Sequence, residues 1–462
     1  MRTLVDDTHV LDAGLADIRR QYGVPAGFPD EVTERAREAA RRPLGGRVDR
    51  TDVPFVTLDP ATSTDLDQAF HIDGDGPDAD LLLHYAIADV ASFVDDGDAL
   101  DQEAWRRGST LYLPDGKAGL YPPVLAEGAA SLLPDGPRPA VIFRVRLDAV
   151  GQATLVGAER ATIHSRAKLA YDTVRPTDVA PGFAEFARRV SAAEAARGAG
   201  NVAPPEQLVE REDGHYRLVF RPRLVSEDQN SALSLATNLA IAAAMQAAGA
   251  GLFRVMASPD DAAVRRLRHT ARALGLQWPS EQPLSTFVKG LSGDSPTEAA
   301  FVLAARRAGG GAEYRCFEPG VTPWHAAMAA PYAHATAPLR RLADRYVVET
   351  ALAIANGQPV TESVRTALPG LVDAMGRADR VGNAVDREVV DLAEAVMLHG
   401  HEGQTFDAVV VDDDAQGARI QLRDPAVRAR VVAHGVRPGD ELRVKLVSAD
   451  PTQRAVKFQR VG

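Results

Sequence analysis

Three aspartates, Asp59, Asp65 and Asp67, lie close together in the run Phe55-Val-Thr-Leu-Asp-Pro-Ala-Thr-Ser-Thr-Asp-Leu-Asp-Gln-Ala-Phe70. The apolar stretch from Phe55 to Leu58 predicts a strand ending at the first aspartate, and Pro60 to Thr64 predicts a turn-rich loop. Asp65 and Asp67, two apart in a second extended piece, are expected on one face. Carboxylates converging from a strand end and its loop suit a hard, oxygen-seeking divalent cation such as Mg²⁺. An EF-hand is excluded: counted from Asp59, Thr64 stands where the calcium loop needs glycine and Phe70 where it needs glutamate. A solvated acidic loop is the plain alternative.

A second chemical clue is Pro331-Tyr-Ala-His-Ala-Thr-Ala-Pro-Leu-Arg-Arg-Leu-Ala-Asp-Arg-Tyr346. Thr336 followed by Pro338 predicts a helix start, with Thr336 as N-cap and Arg340 and Arg341 in the first turn. Cations there oppose the helix dipole at a cost of a few tenths to about 1 kcal/mol. The conflict resolves if an anion binds, met by free N–H groups, the dipole and two guanidinium forks. The bland alternative pairs both arginines with surface carboxylates. A metal on one side of a phosphate and arginine on the other is the arrangement of phosphodiester chemistry.

The elements that must position these residues fall into four regions. Residues 1–50 contain an amphipathic helix from Pro29 to Arg42, stopped by Pro43 and a glycine pair. From Pro54 to about Ile163 the pattern is strand-like, clearest at Leu81–Asp89 and Ala140–Leu147. From about Ala184 to His401 it is Ala- and Leu-rich and helical, broken by turns such as Gly290–Pro296. The tail holds strand-sized runs at Thr405–Val411, Gly417–Leu422, Glu441–Val447 and Ala455–Phe458, which suit a small barrel of the OB type. Asp412 to Asp414 read as a solvated hairpin turn.

At 462 residues the chain has room for two or three domains, and 45% hydrophobic with 25% charged residues is an ordinary soluble balance. No apolar run approaches the roughly 20 residues that span a bilayer, and no signal-peptide pattern opens the chain. A lone cysteine, Cys316, excludes an intrachain disulfide and fits a reducing cytoplasm. The net charge of −11 argues against a generally basic, nucleic-acid-coating surface and leaves room for a confined basic channel. His399-Gly-His401 reads as a linker, and Gly309–Gly311 lacks the Lys-Ser/Thr of a phosphate loop.

Asp59-Pro-Ala-Thr-Ser-Thr-Asp-Leu-Asp-Gln-Ala resembles the acidic signature of the ribonuclease II/RNase R (RNB-domain) family, and Ala335-Thr-Ala-Pro-Leu-Arg-Arg is similar to its Thr-Ser-Pro-Ile-Arg-Arg/Lys element. Thr110–Pro114, Ala130–Leu133, Ala167–Tyr171 and the helix around Asp386-Arg387 follow in the family's order over about residues 50–400, and the tail resembles its S1 domain. Any one motif is weak; the ordered set is strong. The resemblance implies a processive Mg²⁺-dependent 3′→5′ exoribonuclease, with Mn²⁺ as a second ion that could serve, threading single-stranded RNA and releasing nucleoside 5′-monophosphates. Asp59, Asp65 and Asp67 would hold the metal, joined by Gln68 through its carbonyl. Arg340 would face the scissile phosphate and Arg341 would help hold the backbone. Tyr112 would stack on a base, Tyr171 would set where the last nucleotides sit, and Asn230 and Asp386 would contact the substrate.

Three departures stand out. The family's acidic run ends in Asp-Asp, whereas here Gln68 follows Asp67, with loss of a charge. Asp386 takes the place of a glutamate. The paired glutamates common after the position of Asn230 are missing, with Ser234 nearby. The first fifty residues are too few for the family's cold-shock barrels, so a helical cap or reduced helix-turn-helix is expected, with a more open entrance and a weaker hold on RNA. The sequence thus predicts an α+β RNB catalytic domain over 51–400, an S1-type OB barrel over 401–462 and a short helical segment over 1–50. A cytoplasmic monomer acting on single-stranded RNA, with no membrane partner, is the expectation. A catalytically weakened RNA-binding protein, or a metal phosphodiesterase acting on short oligonucleotides or DNA, are the alternatives.

Overall fold

The computed structural model describes residues 10–76, 78–199, 206–212, 215–221, 223–291, 296–414, 417–423, 427–433, 435–437 and 439–461. Helices α1 (Val10–Gln21) and α2 (Asp30–Arg41) come first. α2 opens with Asp30 and Glu31, acids placed where the helix dipole favours them, and buries Val32, Ala36 and Ala39 along one face. The chain then runs through β1 (Val48–Arg50), β2 (Val56–Asp59), β3 (Gln68–Asp73), β4 (Leu81–Ala88), α3 (Ala99–Arg107), the hairpin β5 (Leu111–Leu113) and β6 (Gly116–Ala118), β7 (Arg138–Leu147), β8 (Ala153–Ile163) and β9 (Ala167–Ala170).

Seven of these strands form one sheet in the order β1-β8-β7-β4-β3-β2-β9. The pairs β1/β8 and β2/β9 are parallel and the others antiparallel. Central β4 buries Leu81, Leu83, Tyr85, Ala86, Ile87 and Ala88, so both faces are covered, which is why it reads as a continuous apolar run.

Next come α4 (Phe183–Arg197), the hairpin β10 (Glu206–Glu212) and β11 (His215–Arg221), and α5 (Val225–Ala248). By length and composition α5 passes as a membrane span, but it lies in the main core, where Leu233, Ile241 and Met245 join the cluster of Tyr85, Phe143 and Val347. The segments β12 (Leu252–Val255), α6 (Asp261–Ala273), α7 (Leu284–Lys289), α8 (Pro296–Ala308), β13 (Glu313–Cys316), β14 (Trp324–His325) and β15 (Ala330–Pro331) lead to α9 (Leu342–Ala355) and the 37-residue α10 (Glu362–Leu398).

Beyond α10, strands β16 (Thr405–Asp414), β17 (Gly417–Leu422), β18 (Arg428–Val432), β19 (Glu441–Asp450) and β20 (Ala455–Arg460) close a barrel in the order β16-β17-β18-β20-β19. Its interior, Val410, Ile420, Val444 and Leu446, merges with Leu392 and Leu398 of α10 and Leu11, Leu15 and Ile18 of α1. The barrel is therefore packed onto the catalytic part through α10 and α1 rather than hung from a linker. Several elements were not legible in the sequence, among them α1, the β10–β11 hairpin, the β12–β13 pair and β18, whose Arg-Ala-Arg-Val-Val run is too charged to signal a strand. Asp412 to Asp414, expected as a hairpin turn, instead end β16 and pair with β17; the rest of that turn and part of the one at 290–296 fall on 415–416 and 292–295, outside the described residues.

Candidate active site

Asp59 is the last residue of β2, and the parallel β2/β9 register sets it opposite Ala170. Tyr171 follows directly, its N–H donating to the Asp59 carbonyl at 3.3 Å. Asn230, buried near the start of α5, donates Nδ2 to the Leu58 carbonyl and to the Tyr171 hydroxyl, both at 3.0 Å. The loop after Asp59 is pinned by Ser131, whose Oγ accepts from Leu66 N at 2.9 Å and donates to the Thr64 carbonyl at 2.7 Å. Asp65 and Asp67 thus flank a buried Leu66 and precede β3, not within a strand as the alternation suggests.

Their side chains also go to different partners. Asp65 accepts from the Tyr112 hydroxyl at 3.2 Å and pairs with Lys117 Nζ at 2.9 Å. Asp67 is buried; its Oδ1 accepts from Leu339 N at 2.7 Å, and Arg340 Nε stands 3.6 Å from its Oδ2. Among the described residues, no three Asp, Glu, His or Cys side chains converge into a ready-made ligand set.

The arginine wall corrects one sequence expectation. α9 begins at Leu342, and Arg341 is its extended N-cap residue (φ −133°, ψ 122°), so Thr336 caps nothing and neither arginine lies in the first turn. The backbone donors expected to start a helix are used elsewhere. Arg340 N and Arg341 N both donate to the Ala337 carbonyl, at 3.2 and 2.9 Å, closing a tight turn. Ser109 bridges to Arg341, and Thr110 N donates to the Arg340 carbonyl at 3.0 Å. Gly108 allows this approach: its φ is +70°, and a Cβ there would meet Ala378 Cβ at 2.7 Å. The argument from dipole opposition therefore does not apply; the turn itself presents the arginines.

The two arginines differ. Arg341 makes a bidentate ion pair with the buried Asp344, at 2.9 Å through Nε and 2.7 Å through Nη2. Asp344 also accepts from Ala337 N at 2.8 Å, so one carboxylate fixes both ends of the turn. Arg340 instead leaves 44% of its side chain exposed, beside Asp67.

Burial pushes the Asp59 carboxyl up to about 6, with Asp65 adding to the rise and Arg340 and Lys168 opposing it. Burial likewise pushes Asp67 up to about 8, against Arg340 and the Leu339 N–H. Both carboxylates are thus short of compensating positive charge. An all-oxygen, buried and undercompensated donor set fits a hard divalent cation.

Asp59 opens into a cavity of 750 Å³ lined also by Gln68, Tyr171, Asn230, Arg340 and Arg341, with Arg188, Arg223 and Lys289 on its wall; Asp65 lines a separate, smaller cavity with Lys117 and Glu127. Asp386 lies outside both, in a cleft of 540 Å³ that also holds Tyr112, a residue 52% exposed. Gln68 is committed within the fold: Nε2 donates to the Thr336 carbonyl at 2.6 Å, and Oε1 accepts from Ser234 Oγ at 3.1 Å and from the Tyr85 hydroxyl. Its carbonyl is therefore already used by two hydroxyls. Sequence reasoning missed Lys117, Lys168, Tyr85 and Asp344. Only Asp344 had a local signal, an acid three residues after Arg341.

Buried carboxylates facing an arginine turn, on a mixed sheet joined by one long helix to a closed five-stranded barrel, define the catalytic architecture of an RNB domain with an S1-type OB barrel. The RNB domain matches residues 47–354, and the C-terminal S1 domain of RNase II-type exonucleases matches residues 404–461. The chain belongs to the RNB-domain family of exoribonucleases. It is 24% identical to ribonuclease R of Thermotoga maritima over 98% of its own length and 71% of that protein. It is 28% identical to exoribonuclease 2 of Serratia proteamaculans over 85% of its length and 64% of that protein. The fold is similar to that of Mycoplasma genitalium RNase R in complex with ribose-methylated single-stranded RNA, with a TM-score of 0.86 at 20% identity, covering 100% of this chain and 79% of the other. It is also similar to yeast Ssd1, described as a pseudonuclease, with a TM-score of 0.70 at 17% identity, covering 98% and 58%.

Proposed function

We propose that this chain is a Mg²⁺-dependent 3′→5′ exoribonuclease, a cytoplasmic monomer that hydrolyses single-stranded RNA processively to nucleoside 5′-monophosphates, with Mn²⁺ as an alternative ion. The observation that carries the reading is the pair of undercompensated buried carboxylates, Asp59 and Asp67, with the half-exposed Arg340 guanidinium near both at the wall of a basic cleft. A bound divalent ion would supply Lewis-acid polarisation of the phosphate and a water acidic enough to attack near neutral pH. Asp59 and Asp67 are the residues that would hold it; Asp65, expected as a third ligand, is engaged by Lys117 and the Tyr112 hydroxyl. Arg340 supplies a forked donor to the phosphoryl oxygens as negative charge grows on them. The Leu339 N–H fixes the orientation of Asp67, and the Arg341–Asp344 pair fixes the turn that carries Leu339 and Arg340. Tyr171 and Asn230 form a polar wall at the Asp59 end, and the exposed Tyr112 ring offers a stacking face, which recognises unpaired bases without regard to sequence.

A second reading, RNA binding without turnover, draws support from Gln68, whose amide is spent on Thr336, Tyr85 and Ser234 where the family pattern has a carboxylate. A time course on 5′-labelled single-stranded RNA with Mg²⁺, beside an EDTA lane and Asp67→Asn, separates them. A ladder shortening from the 3′ end and lost in both controls is expected. Intact RNA with a retained gel shift would give the second reading.

A further inference from the structure

Asp65 is held by a side chain that the acidic motif does not contain. Lys117 of β6 places Nζ 2.9 Å from Asp65 Oδ1 and 3.1 Å from Glu127 Oε1, and its side chain is only 25% exposed. The other Glu127 oxygen accepts from the Thr64 hydroxyl at 2.9 Å and the other Asp65 oxygen from the Tyr112 hydroxyl at 3.2 Å, so both carboxylates are steered toward the ammonium. The position of Lys117 is built in rather than accidental. The β5–β6 turn is tied to α1 by Arg19, which donates to Asp115 at 2.9 and 2.8 Å and to the Gly116 carbonyl at 2.9 Å. Hard divalent ions sit about 2.0–2.6 Å from carboxylate oxygens, so each carboxylate need close in by only about 1 Å to hold an ion where the ammonium stands. Glu127 lies far along the chain from the aspartates, and Gln68 adds no charge to the site.

We propose that Lys117 is a resident cation of the carboxylate site: its ammonium fills the position between Asp65 and Glu127 that a second divalent ion would take, leaving Asp59 and Asp67 to serve a single ion. The inference rests on the metal-dependent reading above. Lys117 acts through Asp65 and is a positioning residue. It also accounts for why Asp65 does not share the partners of Asp67, since the lysine and the Tyr112 hydroxyl together occupy it.

The test counts Mn²⁺ ions bound to the full chain by electron paramagnetic resonance, without RNA. One ion is expected for the unmodified chain and for Lys117→Arg, which keeps the charge. Two are expected for Lys117→Met, and one again when Glu127→Gln is added to it, because the second ion needs both carboxylates. A lysine that merely clamps the loop would leave the count for Lys117→Met at one, and that result overturns the proposal. Two ions on the unmodified chain overturn it without any variant, so the inference is testable even if Lys117→Met does not fold. No Mn²⁺ on any form would sink the metal-dependent reading itself, and this inference with it.

Discussion

Asp344→Asn is the perturbation that most directly tests how the arginine wall is built. The carboxylate has 0% of its surface exposed and accepts three hydrogen bonds, one from Ala337 N and two from Arg341. An asparagine oxygen placed for Ala337 N and Arg341 Nη2 leaves its NH₂ group facing the Nε–H, donor against donor. Arg341 cannot shed its proton even without the Asp344 charge, because a guanidinium stays ionised in proteins. The variant therefore strands a buried cation, which costs about 3–5 kcal/mol. The guanidinium escapes that cost by swinging into the cleft, and the 337–341 turn moves with it. Arg340 is then misplaced by an ångström or so, which slows turnover about 10- to 100-fold. Urea midpoints give the stability, and single-turnover hydrolysis of single-stranded RNA gives the rate. The double replacement Arg341→Met with Asp344→Leu should recover most of the stability, because apolar residues replace a buried pair at little cost, while the rate stays low. A loss below about 1 kcal/mol with full turnover would show that the ion pair does not hold the turn.

The remaining predictions concern the phosphate, the base and the barrel contact. Arg340→Ala should cut turnover by about 10²–10³ with a small change in RNA affinity, as for a group that acts mainly in the transition state; equal losses in single-turnover rate and gel-shift affinity would refute that role. Tyr112→Ala should weaken binding of single-stranded RNA by about 1–3 kcal/mol in fluorescence anisotropy, with Tyr112→Phe close to the parent because the ring face remains. Glu394 on α10 accepts from Gln207 Nε2 at 2.6 Å and Arg428 N at 2.7 Å, and burial, with Asp391 adding, pushes its carboxyl up to about 8. An acid whose folded pKa lies above its unfolded value is stabilising at low pH. Its contribution should fade as pH rises from the ordinary carboxyl range through about 8, by a few kcal/mol in all. Glu394→Gln keeps the acceptor without the proton equilibrium and should flatten that part of the urea midpoint's pH profile; an unchanged slope would place the dependence elsewhere.

The acidic loop was legible because its signals are local. Phe55 to Leu58 carry strand propensity, Pro60 to Thr64 are turn-formers, and the aspartates sit at the boundary between them. Helix α2 was likewise legible, from Pro29 before it and from its apolar stripe at Val32, Ala36 and Ala39. The start of α9 was misread for a physical reason. Ala337-Pro-Leu-Arg-Arg has the composition of a helix N-terminus, but Asp344, Ser109 and Thr110 take up the hydrogen-bonding groups of the turn from outside it. Local propensity was outweighed by bonds to residues that come together only in the folded chain.

The same distinction explains Gln68 and Lys117. Read alone, Gln68 is a weakened metal ligand, because a neutral carbonyl stands where a carboxylate is expected. Its partners Tyr85, Ser234 and Thr336 come from β4, α5 and the loop before the arginine turn, and only the sheet register with α5 laid across it brings them to one amide. Lys117 reaches Asp65 from a hairpin whose turn Arg19 of α1 ties down. The charge balance of the site is thus set by four segments distant in sequence: the β2–β3 loop, the β5–β6 hairpin, Lys168 on β9 and the 337–341 turn. A motif names the carboxylates that must be compensated, but which cation compensates each one is decided by strand register and turn anchoring. Substitutions at Arg19 or Asp344, which touch no aspartate of the motif, should therefore alter the site as surely as substitutions within it.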